Sequence, residues 1–350
     1  MGTGLLLASM TEVSIPGIRD AAPPADHFFW DLYRLKLGRR TSWALPVLAV
    51  GLYWVLLSAV AGEITVNHVI YGVAVLLLSQ IKQPFLPLGV RPLDFFLPMV
   101  LTAALYDSQR YWDERVPHVA GPYEFEKRLF GIPSPNGTLT LNEWFGLHLH
   151  AVLDFIAGGV YLTFIGVFIL LAVYFTRRIH FDTNSEMTPS HRLWSARAVV
   201  WSFFVVNVLG FVTWFFYPVA PPWYVDMYGL DATVLDIPMN PARTVRFDAL
   251  FGTSFFTGWY GAGSNPFGAI PSLHVSYPVL SVVFAVRLKR FRKFTVVFAG
   301  LVGFAAVYLN HHYLIDVLLG VAYGLVAAAI TIVGTEWLAV RLSPANDPTD

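Results

Sequence analysis

Cysteine is absent from this 350-residue sequence, and charged residues make up only 13% of it. Without a thiol, the chain has no disulfide bond, no thiolate metal ligand and no cysteine nucleophile. The charged fraction is about half of that in an average soluble domain, and the formal net charge is zero. A neutral chain with so few charges gives no indication of a nucleic-acid partner.

Other familiar segments are also missing from the sequence. The short apolar stretch at 4–8 is too brief for a signal peptide, so we expect later segments of the chain to direct any export. No internal repeat and no linker between domains is apparent. We therefore expect a single domain at 43–335, preceded by an N-terminal segment at 1–42 and followed by a C-terminal tail at 336–350.

Hydrophobic residues account for 56% of the chain and are clustered. Several clusters approach the roughly 20 residues that cross about 30 Å of hydrocarbon. The pattern predicts an all-α fold, a polytopic membrane helical bundle with about eight spans. The third span is the weakest of them, because it is short and contains Pro98. The spans are predicted at 43–61, 66–81, 93–106, 151–175, 198–219, 274–287, 293–310 and 313–333.

Two long polar regions separate the spans, at 107–150 and 220–270, and both are rich in turn-forming residues. Within the first region, helices are expected to begin near Pro122 and after Thr140. Most of the 23 lysines and arginines fall on the opposite side of the eight-span arrangement. The positive-inside rule then puts both termini in the cytoplasm. Both polar regions are expected on the periplasmic or lumenal side.

Two histidine motifs are also expected on that outer side. The sixth and seventh spans form a hairpin around the basic cluster 287–293, which returns His274 and His312 to one face of the membrane. His312 and Asp316 are four residues apart and therefore neighbours on a helix. Asp316 can accept a proton from one ring nitrogen of His312, which leaves the other nitrogen free to attack phosphorus. His274 can then protonate the departing oxygen.

Two other interpretations of these motifs remain open. Histidines at the ends of membrane spans also serve as interfacial helix caps, although two such motifs on one side favour catalysis. His311, His312 and Asp316 are all metal-ligand types, but adjacent histidines point in different directions on a helix.

The two motifs resemble a known family. Pro-Ser-Leu-His at 271–274 and His-Tyr-Leu-Ile-Asp at 312–316 are similar to signature blocks of the type 2 phosphatidic acid phosphatase superfamily. Leu273 in place of a glycine and the doubled His311-His312 resemble its inositol phosphorylceramide synthase branch. Three further segments also resemble that branch, at 125–132, 142–145 and 217–224.

The resemblance implies a six-helix phosphatase-like core and a phosphohistidine intermediate formed without a metal or other cofactor. It also implies roles for three residues: His312 as nucleophile, Asp316 as its orienting partner and His274 as acid and base.

The sequence also departs from the phosphatase pattern. Ala306 stands where the phosphatases have an arginine, and Pro84 stands where a lysine would begin a Lys-x6-Arg-Pro block. The phosphate must therefore find other cations, and guanidinium groups suit its oxygens. The predicted substrate-binding residues are three outer-side arginines together with a serine and a tyrosine. They are Arg110, Arg243, Arg246, Ser272 and Tyr224.

These features predict a membrane phosphotransferase. It would move a phospho-headgroup, most simply phosphoinositol, from a phosphoinositide donor to a lipid hydroxyl such as that of ceramide. One alternative is a lipid or polyprenyl phosphate phosphatase, in which water replaces the lipid acceptor. Water exclusion decides between the two enzymes. A second alternative is a non-catalytic membrane transporter or scaffold.

Overall fold

The structure, a computed structural model, describes five stretches of the chain. They are residues 44–81, 90–112, 115–182, 186–231 and 234–342. The expected cytoplasmic segment at 1–42 and most of the loop before Arg91 lie outside the described residues, as do residues 343–350.

The described residues fold into α-helices joined by short loops, with one small antiparallel hairpin, β1 (Ile132–Ser134) and β2 (Gly137–Leu139). The helices are α1 (Ala44–Ala61), α2 (Val66–Gln80), α3 (Pro92–Asp107), α4 (Ala120–Phe130), α5 (Leu141–Leu147), α6 (Ala151–His180), α7 (Pro189–Phe216), α8 (Pro222–Tyr228), α9 (Val245–Phe251), α10 (Phe255–Gly261), α11 (Leu273–Arg287), α12 (Arg292–Tyr308) and α13 (Leu314–Leu342).

Each of the eight predicted spans is a helix in the structure. Among the described residues, four helices are long and apolar enough to cross a membrane by length and composition, namely α1, α6, α7 and α13. The shorter helices α2 and α11 are also apolar. Large aliphatic side chains such as Leu48 and Val60 are exposed on α1, as lipid-facing side chains are. The protein is therefore an integral membrane protein with the expected all-α fold.

The ends of several helices differ from the predicted spans. Helix α6 continues to His180, past its apolar run, and α13 continues to Leu342. Helix α7 begins at Pro189, where Thr188 Oγ1 accepts a hydrogen bond from the His191 backbone N–H (3.3 Å). Hydropathy does not detect such polar ends, because a helix can extend beyond the hydrocarbon. At the start of α7, a capping residue sets the end instead.

The two helices expected in the first polar region are confirmed. Pro122 lies in the first turn of α4. Thr140 caps α5 in a capping box, in which its Oγ1 accepts from Glu143 N (3.2 Å) and Glu143 Oε2 accepts from Thr140 N (2.7 Å). Between them, the hairpin turn leads into Gly137, the first residue of β2, whose φ of +116° suits glycine.

Helix α11 lies inside the bundle. It packs against α6, α7, α12 and α13. Helix α3 packs on another side of α7, and α1 and α2 lie further from α11. Leu280 of α11 is fully buried and Phe284 almost so. His274 is the second residue of this helix, so its backbone is fixed by packing on several sides.

Glycines allow α13 to approach α11 closely. A Cβ atom on Gly320 would collide with the backbone oxygen of Ser272, and one on Gly324 would lie 3.0 Å from the backbone oxygen of Ser276. Ser276 Oγ donates to the Gly320 carbonyl oxygen (2.8 Å), and Ser272 N donates to the Asp316 carbonyl oxygen (3.0 Å). Small residues commonly allow such close helix contacts in membranes. The first turns of the two helices are therefore joined directly.

We predict that Gly320→Ala lowers the melting temperature of the purified protein in detergent. The new methyl group would meet a backbone atom that cannot rotate away, and overpacking of this kind costs about 1–3 kcal/mol. Gly334→Ala is the matched control on the same helix, because no heavy atom lies within 4 Å of its Cβ position. Equal melting temperatures for the two variants would contradict the proposed close contact.

Candidate active site

The two motif histidines meet in the structure. His274 Nδ1 lies 3.0 Å from His312 Nε2, and the two rings are inclined by 61°. His274 comes from the first turn of α11, and His312 from the segment 309–313 between α12 and α13, which we call the histidine turn. His312 is buried, with 4% of its surface exposed, while His274 is partly accessible.

The other nitrogen of His312 faces two acceptors. His312 Nδ1 lies 2.9 Å from the Ala269 carbonyl oxygen and 3.5 Å from Asp316 Oδ2. A nitrogen between two acceptors is the one that carries the proton. This arrangement favours the tautomer in which Nε2 has a free lone pair, and that nitrogen is the one that faces His274.

Asp316 is fully buried and stabilises the start of α13 as well as His312. Its Oδ2 atom accepts a hydrogen bond from Tyr313 N (2.8 Å), while its backbone oxygen accepts from Ser272 N. One residue thus connects the histidine turn, the ring of His312 and the segment before His274.

The segment 217–224, one of those used for the family resemblance, acts through its backbone. Val219 N donates to the Phe267 carbonyl oxygen (2.9 Å), and Ala269 N donates to the Val219 carbonyl oxygen (3.3 Å). These bonds fix Ala269, whose carbonyl oxygen faces His312. Val219 is itself fully buried.

Two outer helices hold the histidine turn and the start of α13. Both carboxylate oxygens of Glu126, on α4, accept backbone hydrogen bonds, from Leu314 N and Ile315 N (3.0 Å each). Glu126 is fully buried, and burial raises its pKa while the two N–H groups oppose that shift. On α5, Asn142 Nδ2 donates to the carbonyl oxygens of Val307 and His312 (3.0 Å each).

Aromatic rings pack on both faces of His311. The ring of His311 lies between those of Tyr161 and Tyr260, with centroids 5.2 and 4.6 Å away and nearly parallel planes. Tyr161 also stacks on His274 (4.6 Å). His311 and His312 thus face different partners. Among the described residues, no group of three or more histidine, aspartate or glutamate side chains is placed to hold a metal ion.

Next to the histidines lies an apolar cavity of about 430 Å³. Its wall comes from α3, α6, α7 and α11 and from the 220–270 region, and it includes His274, His311 and His312. The other lining residues are mostly aromatic or aliphatic, such as Phe164 and Phe211. No lysine, arginine, aspartate or glutamate is found among the described residues of this wall. Its dimensions and chemistry suit a hydrocarbon chain.

Two of the predicted substrate-binding residues are buried beside the site. Ser272 lies directly before α11, and its Oγ atom has no hydrogen-bond partner in the described part of the chain. The hydroxyl group of Tyr224 is engaged with the backbone of Val234, donating to its oxygen (3.0 Å) and accepting from its nitrogen (3.3 Å). Tyr224 thus supports the 220–270 region from inside.

The three predicted arginines are each paired with an aspartate. Arg110 pairs with Asp107, and Arg246 Nη2 lies 2.8 Å from Asp154 Oδ2.

Arg243 is attached to the histidine turn. Its backbone N–H donates to the Leu309 carbonyl oxygen (3.1 Å), its Nη1 donates to the Tyr308 carbonyl oxygen (3.2 Å), and its Nη2 lies 3.7 Å from Asp226 Oδ2. Contact of any of these arginines with a phosphate stays a prediction.

Sequence reasoning did not single out several residues that shape the site. Glu126 and Asn142 lie in segments that resemble the family, at 125–132 and 142–145. The sequence therefore marks the segments but does not show what these two side chains do. Tyr161 lies within an apolar span and gives no signal of its own. The Ala269 carbonyl belongs to the backbone, so no side chain marks it.

We predict that Glu126→Gln loosens the start of α13, directly after the histidine turn. A glutamine offers one oxygen to two N–H donors and turns its own NH₂ group toward the second. Losing a hydrogen bond to a charged acceptor should speed amide exchange at Leu314 and Ile315 by about 10- to 100-fold. Hydrogen–deuterium exchange with mass spectrometry measures this, with Glu124→Gln as the control, because Glu124 is exposed on the same helix. Unchanged amide exchange in Glu126→Gln would show that Glu126 does not stabilise the backbone at Leu314 and Ile315.

Comparison with known proteins agrees with the resemblance of the motifs. The family model described as PAP2 superfamily matches residues 138–330. The phosphoinositol dihydroceramide synthase of Bacteroides thetaiotaomicron is 34% identical over 290 residues, which cover 80% of this chain and 88% of that protein.

Two fungal proteins are similar over a shorter region. The inositol phosphorylceramide synthase catalytic subunit of Schizosaccharomyces pombe is 33% identical over 132 residues, 36% of this chain and 31% of that one. The inositol phosphorylceramide synthase of Candida albicans is 32% identical over 136 residues, 39% and 29% of the two chains. No solved structure matches significantly. The extent of the family match and of the bacterial similarity shows that this chain belongs to the PAP2 superfamily.

Proposed function

We propose that the protein is a membrane phosphotransferase that moves phosphoinositol from a glycerophospholipid to the hydroxyl group of a ceramide-type lipid. The observation that carries the proposal is the 3.0 Å approach of His274 Nδ1 to His312 Nε2 in the wall of an apolar cavity. The names of the similar proteins, which are synthases of phosphoinositol ceramides, support the same donor and acceptor classes.

In the first half-reaction, His312 Nε2 attacks the phosphorus atom of the donor. A nitrogen–phosphorus bond forms while the bond from phosphorus to the diacylglycerol oxygen breaks. His274, protonated at the start, gives its proton to that oxygen, so diacylglycerol leaves as a neutral alcohol. The Ala269 carbonyl oxygen and the Asp316 carboxylate stabilise the proton on His312 Nδ1 as positive charge develops on the ring.

In the second half-reaction, the hydroxyl group of the acceptor takes the place of diacylglycerol. Neutral His274 removes its proton, the alkoxide oxygen attacks phosphorus, and the nitrogen–phosphorus bond breaks. His312 returns to its starting tautomer, and His274 is again protonated. The cycle consumes no cofactor, in line with the family resemblance.

The cavity favours a lipid acceptor over water. Its wall is formed mainly by apolar and aromatic side chains, which stabilise a hydrocarbon chain and hold few water molecules. In a phosphatase, water would need ready access to phospho-His312.

We infer that the histidines face the periplasmic or lumenal side of the membrane. Arg287 ends α11, whereas His274 lies in its first turn, so the basic cluster and the histidines are at opposite ends of the helix. The positive-inside rule then supports a cytoplasmic position for the cluster.

The nucleophile is tested by trapping the phosphorylated enzyme. With donor labelled in its phosphate, wild-type protein should form an acid-labile, base-stable adduct, and His312→Ala should form none and have no turnover. His148→Ala is the control, because His148 is exposed and stacks on Trp144 outside the cavity. An adduct that persists in His312→Ala would exclude His312 as the nucleophile.

The same incubation separates the two enzyme classes. With a ceramide-type acceptor present, label should appear in a new lipid rather than in free inositol phosphate. Release of inositol phosphate as the main product would contradict the transferase proposal and support a phosphatase.

Orientation is tested by cysteine labelling, which is simple in a chain without cysteine. In intact cells, an impermeant reagent should label Asp236→Cys but not Arg290→Cys, both of which are exposed positions. Labelling at Arg290→Cys alone would show that the inferred orientation is wrong.

A further inference from the structure

Besides the histidines, one polar pair is part of the mostly apolar cavity wall formed by α6, α7 and α11. Tyr277 of α11 donates a hydrogen bond from its hydroxyl group to Asn207 Oδ1 on α7 (2.7 Å), and both residues line the cavity. Asn207 is 1% exposed and Tyr277 is 8% exposed. The rings of Phe164, Phe168 and Phe203 surround that of Tyr277. Burying an amide among aromatic rings is unfavourable unless its hydrogen bonds are made.

The hydrogen bonds of Asn207 leave part of its capacity unused. Its Nδ2 atom donates to the Phe203 carbonyl oxygen (2.8 Å), and its Oδ1 atom accepts from Tyr277. A primary amide has two N–H donors and two acceptor lone pairs. Among the described residues, one donor and one acceptor of Asn207 are therefore left without a partner, and the Tyr277 oxygen is a further acceptor.

The pair is also close to the reacting groups along the helix. Tyr277 follows His274 by three residues, so the two side chains lie on one face of α11, about 4.5 Å apart along its axis. A lipid whose hydroxyl group reaches His274 would therefore bring the atoms next to that hydroxyl group toward the pair.

We propose that Asn207 and Tyr277 form a subsite that binds the amide group of an N-acyl lipid acceptor. This inference rests on the proposed function. The acceptor amide offers one N–H and one carbonyl oxygen, which match the unused acceptor and donor of Asn207. In a ceramide-type lipid, that amide nitrogen is bonded to the carbon next to the one that carries the reacting hydroxyl group.

The subsite has a consequence for the direction of transfer. Diacylglycerol, the alcohol released in the first half-reaction, carries ester groups that accept hydrogen bonds but donate none. When diacylglycerol is bound, the unused acceptor of Asn207 therefore has no N–H partner. The amide N–H of an N-acyl lipid supplies that partner. Buried polar groups left unpaired discriminate strongly between substrates. The pair thus favours transfer to the amide lipid over return of the phosphoinositol group to diacylglycerol.

The experiment compares two acceptors in purified protein: a short-chain ceramide, and its analogue in which an ester oxygen replaces the amide N–H. The ratio of kcat/KM for the amide acceptor to that for the ester acceptor is measured in wild type, Asn207→Leu and Tyr277→Phe. Wild type should prefer the amide, and Asn207→Leu should reduce the ratio by about 10- to 100-fold. Tyr277→Phe, which keeps the ring, should reduce it less.

Two controls make the result specific. Thr213→Val removes a hydroxyl group on the same helix that bonds Tyr323 outside the cavity (2.7 Å), and it should leave the ratio unchanged. Release of diacylglycerol without acceptor reports the first half-reaction, and detectable release in Asn207→Leu shows that this variant is folded.

The outcomes separate the two proposals. Transfer to ceramide in wild type together with an unchanged ratio in both variants would overturn the subsite and leave the proposed function standing. Absence of transfer to either acceptor in wild type would overturn the proposed function itself.

Discussion

The close contact of α11 with α13 at Gly320 is the constraint on which the rest of the site depends. Because no side chain separates the helices there, Ser272 N reaches the Asp316 carbonyl oxygen and Ser276 Oγ reaches that of Gly320. These bonds fix the first turns of both helices relative to each other. The 3.0 Å distance between His274 and His312 follows from that fixed geometry, since each histidine lies at or next to one of those turns.

The outer helices and loops complete the site through backbone hydrogen bonds. Glu126 holds the start of α13, Asn142 holds the His312 carbonyl group, and Val219 holds Ala269, whose oxygen faces His312. All three lie in segments that resemble the synthase branch. Buried backbone groups need partners, so these residues stabilise the histidine turn while the apolar cavity stays free for a lipid.

The sequence predicts the spans and the two histidine motifs because both depend on local pattern. Apolar runs mark the helices, and the four-residue spacing predicts that His312 lies beside Asp316. The two residues do meet, although His312 lies in the turn before α13 and not on a shared helix. The polar ends of α6 and α7 could not be read from hydropathy. The contacts of Glu126, Tyr161 and the Ala269 carbonyl join distant segments, so only the folded chain reveals them.

The central claim is that transfer proceeds in two displacements at phosphorus, through His312. The most direct test is the stereochemical course, using a phosphatidylinositol donor in which sulfur replaces one nonbridging phosphate oxygen in a single configuration. Each in-line displacement inverts phosphorus, so transfer through phospho-His312 predicts overall retention of configuration in the ceramide product. Inversion, read by phosphorus NMR, would mean a single direct displacement and would contradict the account.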